Sequence, residues 1–343
     1  MRKNSSTSSS AADRRHLRRA LALAQKGVGL TLPNPRVGAV LVRGGKIIGE
    51  GFHEKAGRPH AEVMAVRDAK KRGHAVAGST LYVTLEPCST QGRTPPCTDL
   101  ILREKIARVV FAATDPNPAH AGAAASLLRE AGVAVSHGLL ADEAAALNRD
   151  FNWWIVRGTP WVVAKIALSL DGRITTPPGD DRWLTSPEAR RAAHELRWES
   201  DAILVGAETA RRDDPALTVR LPGRRGKVQP WRVLVTRSGL LPVELKLFTD
   251  RHRERTLVYG DVPLDLMLRD LGDREISHLL IEGGGQVLTD AFRLGLVNEV
   301  AFFIAPALMG TASRALQALP VPVTLRGVTY QKVGADWLCR ALV

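Results

Sequence analysis

One histidine and two cysteines constrain this chain more than any other feature of its sequence. Glu62 follows His60 by two residues, and Cys88 and Cys97 come later, each directly behind a proline. Imidazole and thiolate groups suit a zinc ion in softness and geometry. Three such ligands leave one tetrahedral position open, which is typical of a catalytic rather than a structural zinc site. We therefore expect a catalytic zinc centre formed by His60, Cys88 and Cys97.

Glu62 is the predicted proton carrier of this centre. A glutamate two residues after the histidine, outside the ligand set, matches the pattern of zinc deaminases that act on nucleosides and nucleobases. Zinc lowers the pKa of bound water from about 15.7 to roughly 7. Glu62 would then carry the released proton to a ring nitrogen and a departing amine. The pattern predicts hydrolytic deamination at a cyclic amidine. The alternative is that this motif and the two cysteines have only a structural role.

The sequence around the cysteines is more specific than the motif itself. Eight residues separate Cys88 from Cys97, whereas the general signature has two. Residues 84–97 and 33–40 resemble the deaminase half of the bifunctional deaminase/reductase family of riboflavin biosynthesis. The resemblance implies that Asn34 binds the substrate. Thr90 stands where that family usually has a histidine, which leaves open a weakened deaminase.

A glycine-rich loop in the second half of the chain has the pattern of a phosphate-binding site. Residues 161–167 form an apolar run, and Ser186-Pro187 has the residue types of a helix start. Further on, residues 279–287 read as a strand, a glycine loop and a helix. Backbone N–H groups at such a helix start can bind phosphate. By itself, the glycine run is equally compatible with a simple tight turn.

Residues 165–173, 183–186, 213–220 and the loop at Glu282 resemble, in the same order, motifs of the reductase half of the same family, so the resemblance covers residues of about 13 to 343. It implies a dihydrofolate-reductase-like fold and NADPH as cofactor. The positions implied to bind NADPH are Ala167, Trp183, Thr209, Asp213, Gly284, Gly285, Gln286, Val287, Leu288, Thr289 and Asp290. The positions implied to bind the substrate are Asp181, Arg197, Ala216, Arg220 and Glu282, where the arginines suit a phosphate ester.

Three further residues bear on the reductase chemistry. Lys165 is a candidate to polarise or protonate the sugar oxygen, or else pairs with an acidic neighbour. Asp181 stands where the family commonly has serine, and it would add negative charge beside an anionic substrate. Arg237 also departs from the family pattern and could pair with the 2′-phosphate of the cofactor. A reductase weakened by Asp181 or Arg237 is therefore a second alternative to a fully bifunctional enzyme.

The strand and helix patterns predict an α/β protein with two domains. Residues 1–12 are expected to form a disordered tail, because they are Ser-rich. Residues 13–150 are expected to form a three-layer α/β/α, cytidine-deaminase-like zinc domain, with one helix over 141–151 near its end. Residues 151–160 are the expected linker, and residues 161–343 the NADPH-dependent reductase domain.

Composition restricts the partners of the chain. The net charge is +13 but the basic residues are scattered, and aromatic residues make up only 5%. Few aromatic rings are available to stack on bases, so we expect no nucleic-acid partner. Two alternatives to the bifunctional enzyme would need such a partner: a nucleic-acid deaminase and a non-catalytic RNA-binding protein. A phosphorylated substrate accounts equally well for the charge.

The sequence also favours a cytoplasmic location. We expect no membrane span and no signal peptide. The chain has three cysteines, of which Cys339 is unassigned, and this number suits a reducing cytoplasm.

The family resemblance implies a specific pair of reactions. The zinc domain would deaminate 2,5-diamino-6-ribosylamino-4(3H)-pyrimidinone 5′-phosphate, and the second domain would reduce the ribosyl group of the product to ribityl with NADPH. The resemblance also suggests a homo-oligomer, a dimer or tetramer formed through the reductase domain.

Overall fold

The computed structural model describes residues 11–91, 95–117, 120–174, 183–310, 316, 319 and 321–343. Most of the tail expected at 1–12 therefore lies outside the described residues, as does Asp181. The chain divides into two compact units, residues 1–157 and 158–343.

The first unit consists of a five-stranded sheet with helices on both faces. In its described residues, the helices are α1 (Ala11–Ala24), α2 (Ala61–Lys71), α3 (Cys97–Arg103), α4 (Ala123–Glu130), α5 (Ala141–Leu147) and α6 (Arg149–Arg157). The strands are β1 (Gly38–Arg43), β2 (Lys46–Phe52), β3 (Thr80–Leu85), β4 (Arg108–Ala113) and β5 (Ala134–His137), in the order β2-β1-β3-β4-β5. β1 runs antiparallel to β2 and β3, whereas β3, β4 and β5 are parallel.

Two buried clusters give this unit its three layers. On one face of the sheet, Ala65, Ile101 and Leu128 of α2, α3 and α4 pack against strand side chains. On the other face, Leu17 of α1 and Ala144 of α5 pack against the alternate strand side chains. The expected α/β/α arrangement is present because successive residues of each buried strand point to opposite faces.

Glycines let α2 approach the sheet closely. A Cβ atom on Gly49 would lie 2.3 Å from the carbonyl oxygen of Ala65, and one on Gly51 would lie 2.5 Å from the backbone nitrogen of Ala65. Since no side chain fits there, β2 seats α2 directly on the sheet. This close contact fixes the position of α2 on the sheet, and with it the positions of His60 and Glu62 at the beginning of the helix.

The helix predicted over 141–151 is instead two helices that meet at Asn148. The side chain of Asn148 accepts a hydrogen bond from the backbone N–H of Arg36 and donates one to the carbonyl oxygen of Arg36. This long-range pairing ends α5. α6 then continues to Arg157, so residues 151–157 of the expected linker are helical.

The second unit has a larger, mostly parallel sheet. Its described helices are α7 (Pro187–Glu199), α8 (Ala207–Asp213), α9 (Lys246–Thr249), α10 (Leu264–Asp273) and α11 (Gly285–Arg293). Its strands are β6 (Trp161–Ser169), β7 (Ala202–Gly206), β8 (Trp231–Thr236), β9 (Thr256–Gly260), β10 (His278–Glu282), β11 (Glu299–Ala305), β12 (Arg326–Val333) and β13 (Asp336–Leu342). The order is β12-β13-β11-β6-β10-β7-β8-β9. Among the described strands of this second sheet, only the pairs that include β13 are antiparallel.

Helices cover both faces of this sheet as well. Leu271 of α10 and Leu288 of α11 pack on one face, and Leu196 of α7 and Ala210 of α8 pack on the other. The predicted start of α7 is confirmed: Pro187 is its first residue, and the Ser186 hydroxyl accepts the backbone N–H of Ala189. Within the described part of the chain, no helix has both the length and the apolar character needed to cross a membrane.

Candidate active sites

The three predicted zinc ligands come together where two helices begin. His60 is the N-cap of α2, Cys97 is the first residue of α3, and Cys88 lies just after β3. The ligand atoms of the three residues all lie within 4.8 Å of one another. Backbone N–H groups at helix starts favour negative charge, and the N–H of Cys97 points at the sulfur of Cys88 at 3.2 Å. The local folds therefore favour thiolates at this point.

The distances fit a tetrahedral zinc ion. Bonds of about 2.3 Å to sulfur and about 2.0 Å to nitrogen place the two ligand atoms of a tetrahedral site roughly 3.5 Å apart. The Nδ1 atom of His60 lies 3.5 Å from the sulfur of Cys88 and 3.4 Å from that of Cys97. Hydrogen bonds from Cys97 and His60 lower the pKa of Cys88 to about 4. The donor set and its spacing suit zinc, and Cys88 is the thiol of the pair that ionises readily, whereas its hydrogen bond with Cys97 raises the pKa of Cys97.

Glu62 lies in the first turn of α2, beside the ligands and almost completely buried. Burial raises the pKa of its carboxyl above the usual range. A carboxyl with a raised pKa takes up a proton more readily and can later release it, as a general acid and base must. Glu62 is thus well placed for proton transfer beside the three ligands.

Asn34 is held next to the zinc ligands by a histidine that the sequence analysis did not identify. His53 is buried, and its Nδ1 atom lies 3.1 Å from the carbonyl oxygen of Pro59, the residue before His60. That contact requires a proton on Nδ1, so Nε2 accepts the hydrogen bond from the Asn34 amide at 3.1 Å. Burial lowers the pKa of His53, which favours the neutral ring this arrangement needs. A lone histidine after a strand gave no sequence signal.

A buried ion pair supports the same segment. The Arg36 guanidinium donates to both carboxylate oxygens of Asp150, at 2.7 and 2.6 Å, and also to the carbonyl oxygen of Leu147. The two side chains are only 6% and 2% exposed. The loop that carries Asn34 is therefore tied to the junction of α5 and α6.

Thr90, the departure from the family pattern, lies two residues after Cys88 and next to a second histidine. Its hydroxyl oxygen is 3.4 Å from Nδ1 of His120. Glu86, two residues before Cys88, accepts the backbone N–H groups of Asp115 and Gly122 on either side of His120. The His120 loop is thus fastened to the segment that carries Cys88.

In the second unit, the glycine loop lies where the ends of β10 and β7 meet. Gly283 and Gly284 have φ angles of 88° and 79°, which side chains rarely adopt. A Cβ atom on Gly284 would lie 3.4 Å from the hydroxyl of Thr209, and one on Gly206 would lie 2.9 Å from the side chain of Val287. Because residues 283 and 284 are glycines, no side chain of theirs covers the backbone N–H groups here, and α11 begins directly after them. Backbone N–H groups at a helix start of this kind can bind phosphate.

The other predicted cofactor positions lie on several different elements of this unit. Gln286 and Asp290 are joined by a hydrogen bond along α11, whereas the side chains of Leu288 and Thr289 are buried in the unit. Ala167 lies in β6, Asp213 ends α8, and Trp183 is exposed with the Arg190 guanidinium 4.8 Å above its ring. Arg237 follows β8 and forms an ion pair of 3.7 Å with Asp290. Its side chain is 83% exposed.

A charged cluster lies beside the loop, on adjacent strands. Parallel pairing of β10 with β6 places Glu282 opposite Lys165. Arg197 from α7 donates to both oxygens of Glu282, at 2.5 and 2.9 Å. Although burial opposes ionisation, the charge and hydrogen bonds of Arg197 lower the pKa of Glu282 to about 2. Burial lowers the pKa of Lys165, so this amine releases its proton more readily than an exposed lysine.

Arg220 and Ala216 lie on the loop that follows α8, near this cluster. The backbone N–H of Arg220 donates to Nδ1 of His194, and the carbonyl oxygen of Ala216 accepts from Arg232. Burial, together with Arg197 and Arg220, lowers the pKa of His194 to about 4. His194 was not among the predicted site residues, although its place three residues before Arg197 in α7 could have indicated a shared helix face.

Two family models match the chain. The model of the RibD C-terminal domain matches residues 160–339, and the model of the zinc-binding region of cytidine and deoxycytidylate deaminases matches residues 10–113. The riboflavin biosynthesis protein RibD of Aquifex aeolicus is 43% identical over 319 residues, which covers 87% of this chain and 88% of that protein. The chain belongs to the RibD family. The Escherichia coli RibD is 40% identical over 338 residues, covering 90% of this chain and 91% of its own length.

Solved structures agree with this assignment over both units. Acinetobacter baumannii RibD has a TM-score of 0.89 at 34% identity, with 96% of this chain and 98% of that chain covered. A Thermotoga maritima protein described as a diaminohydroxyphosphoribosylaminopyrimidine deaminase/5-amino-6-(5-phosphoribosylamino)uracil reductase has a TM-score of 0.88 at 35% identity, with the same coverage. The expected family, fold class, enzyme class and cofactors are confirmed. The chain is an enzyme with a cytidine-deaminase-like zinc domain followed by a RibD reductase domain, whose family uses NADPH.

Proposed function

We propose that this chain carries out two successive reactions on one phosphorylated pyrimidine. The zinc domain replaces the 2-amino group of 2,5-diamino-6-ribosylamino-4(3H)-pyrimidinone 5′-phosphate by oxygen. The reductase domain then converts the ribosyl group of the product to ribityl. The observation that carries this proposal is the coexistence in one chain of the His60, Cys88 and Cys97 group with a glycine loop beside a Lys165 and Glu282 cluster.

In the deamination, zinc held by His60, Cys88 and Cys97 supplies a Lewis acid that lets water ionise near neutral pH. Glu62 takes the proton of the attacking water, because its carboxyl lies beside the three ligands and its pKa is raised. It delivers that proton to the ring nitrogen, then takes the remaining proton of the newly bound hydroxyl and passes it to the departing amine, which leaves as ammonia. The Asn34 amide, oriented by His53, holds the pyrimidine ring against the zinc ligands.

In the reduction, NADPH supplies the hydride, and the protein supplies binding, orientation and a proton. The bare backbone at Gly283–Gly284 and the start of α11 hold the pyrophosphate. Lys165 gives a proton to the sugar oxygen as the carbonyl is reduced. Its role as a mere partner of an acid is less favoured, because Arg197 already engages both oxygens of Glu282.

Arg237 is the residue to which we assign cofactor selection. It follows β8, and β8 lies next to β7, which in turn lies next to the glycine loop at the end of β10. Neighbouring strands are about 4.8 Å apart, so Arg237 at the end of β8 lies two strand spacings from the glycine loop at the end of β10. With the pyrophosphate at that loop, this position suits contact with a phosphate on the adenosine ribose. We infer that the Arg237 guanidinium leaves Asp290 and pairs with the 2′-phosphate of NADPH.

We also infer that the chain forms a homo-oligomer through the reductase domain. β12 is an edge strand, and Tyr330 and Trp337 are 66% and 47% exposed. Both project from the face of Cys339, because Tyr330 pairs with Cys339 and Trp337 precedes it by two residues. An exposed apolar face beside a free strand edge suits a second copy of the chain. Sedimentation of the wild type against Tyr330→Asp tests this, and a monomeric wild type contradicts it.

The cytoplasm is the inferred location. Cys88, Cys97 and Cys339 are all free thiols. A zinc site with two thiolates persists in a reducing compartment, where disulfide formation does not compete.

Mass spectrometry of the diamino compound tests the proposed function. With zinc-loaded protein alone, we expect one NH group to be exchanged for oxygen. With NADPH added, we expect the further gain of two hydrogens. Absence of the first change despite a full complement of zinc would refute the deaminase assignment. Failure to reduce a separately supplied deaminated compound would refute the reductase assignment.

A further inference from the structure

We propose that His120 is a substrate-contacting residue of the deaminase site and that Thr90 orients it. The inference rests on the proposed deaminase function and assigns a role to a residue outside the zinc ligands and Glu62. The ligand is an oxygen atom of the phosphorylated pyrimidine, which an imidazole N–H can bind.

The position of Thr90 places this pair at the zinc site. Thr90 follows Cys88 by two residues, and its hydroxyl lies 3.4 Å from Nδ1 of His120. Asp115, on the same loop as His120, is close enough to interact electrostatically with both His120 and the Cys88 thiol. Thr90 is exposed and His120 is partly exposed, so a small molecule can reach both side chains.

The loop that carries His120 is held at both ends by one buried carboxylate. Glu86 accepts the N–H of Asp115 at 3.2 Å and the N–H of Gly122 at 3.0 Å. It also accepts the N–H of Ala125, in the first turn of α4, at 3.2 Å. Because Glu86 lies two residues before Cys88, the ligand segment and the His120 loop form one framework. This framework ties the segments on both sides of His120 to the segment that carries Cys88.

His120 can supply the imidazole that this chain lacks at position 90. The family usually has a histidine at position 90, where this chain has threonine. The hydroxyl of Thr90 engages Nδ1 of His120, which directs the other ring nitrogen, Nε2, away from Thr90. The imidazole beside position 90 is therefore that of His120, and the Thr90 hydroxyl orients it.

The test uses His120→Ala, the double variant Thr90→His/His120→Ala, and His74→Ala as a matched control. His74 is exposed and lies just after the far end of α2. For His120→Ala, we expect KM for the diamino compound to rise about five- to tenfold, the effect of one lost hydrogen bond, with a smaller change in kcat. The double variant should recover most of the wild-type KM, and His74→Ala should equal the wild type.

Zinc content and reduction of the deaminated compound are measured on every variant. Both should be unchanged, because His120 is neither a zinc ligand nor a residue of the reductase unit. An unchanged KM for His120→Ala would overturn the proposal, and so would loss of zinc, which would indicate a structural role. A double variant as impaired as His120→Ala would also overturn it. A wild-type protein that does not deaminate at all would instead refute the proposed function.

Discussion

The buried pair of Arg36 and Asp150 should contribute far more to stability than a similar pair at the surface. Asp150→Asn keeps the shape of the side chain but removes its charge. Arg36 is then left buried, 6% exposed, with a single uncharged acceptor in place of the carboxylate. Breaking a buried pair on one side costs about 3–5 kcal/mol. We expect about 3 kcal/mol, at the lower end, because the amide keeps one acceptor oxygen.

Glu50→Gln is the matched control. Glu50 and Arg19 also form a two-bond pair, both at 2.7 Å, but the Arg19 side chain is 46% exposed. Exposed pairs contribute about 0.2–1 kcal/mol. The same chemical change, carboxylate to amide, is thus made in two geometrically similar pairs that differ mainly in burial.

Hydrogen exchange followed by mass spectrometry measures the outcome, because peptides from each unit report separately. For Asp150→Asn, the slowest-exchanging amides of β1 and β3 should lose about a hundredfold in protection, the equivalent of about 3 kcal/mol. Glu50→Gln should lose less than about fivefold, and peptides from residues 158–343 should be unchanged in both. Equal losses in the two variants would refute the reasoning that burial determines the contribution of the pair.

Three further predictions concern the sites. Cys97→Ser should lower the zinc content measured by atomic emission and abolish deamination, while the deaminated compound is still reduced; full deamination without zinc would contradict this. Because the folded pKa of His194 is about 4, below the 6.5 of an exposed histidine, the unfolded state binds its proton first as the pH falls, so stability decreases between about pH 6.5 and 4. His194→Gln should therefore reduce the change in the free energy of urea unfolding with pH in this window. An unaltered pH dependence would contradict the view that His194 causes this loss of stability. Arg237→Ser should weaken NADPH binding about tenfold in fluorescence titrations but leave NADH binding unchanged, and an equal loss for both cofactors would exclude a contact with the 2′-phosphate.

Local patterns made the zinc ligands and several elements predictable. His60 and Glu62 are two residues apart at a helix start, and the hairpin of β1 and β2 turns at Gly44-Gly45, whose φ angles of 55° and 74° favour glycine. The start of α7 was predictable for the same reason, because Ser186 and Pro187 are adjacent in sequence. Such features depend on neighbours in the chain, so their residue types suffice.

Contacts between distant residues were not predictable in this way. Arg36 and Asp150 are 114 positions apart, and their pairing, with that of Asn148, divides one expected helix into two. Glu282 lies beside Lys165 only because β10 pairs with β6, a strand order that no local pattern encodes. The partnership of Thr90 with His120 depends likewise on how the Glu86 carboxylate holds a separate loop.

The two-site account is tested most directly by NADPH oxidation in Glu62→Gln. This variant retains the zinc ligands and the whole second unit but lacks the proton carrier of deamination. We expect it to oxidise NADPH at the wild-type rate when given the deaminated compound, and at a rate lower by at least about a hundredfold when given the diamino compound. Wild-type oxidation of NADPH with the diamino compound would contradict the account, because reduction would then not require prior deamination by Glu62.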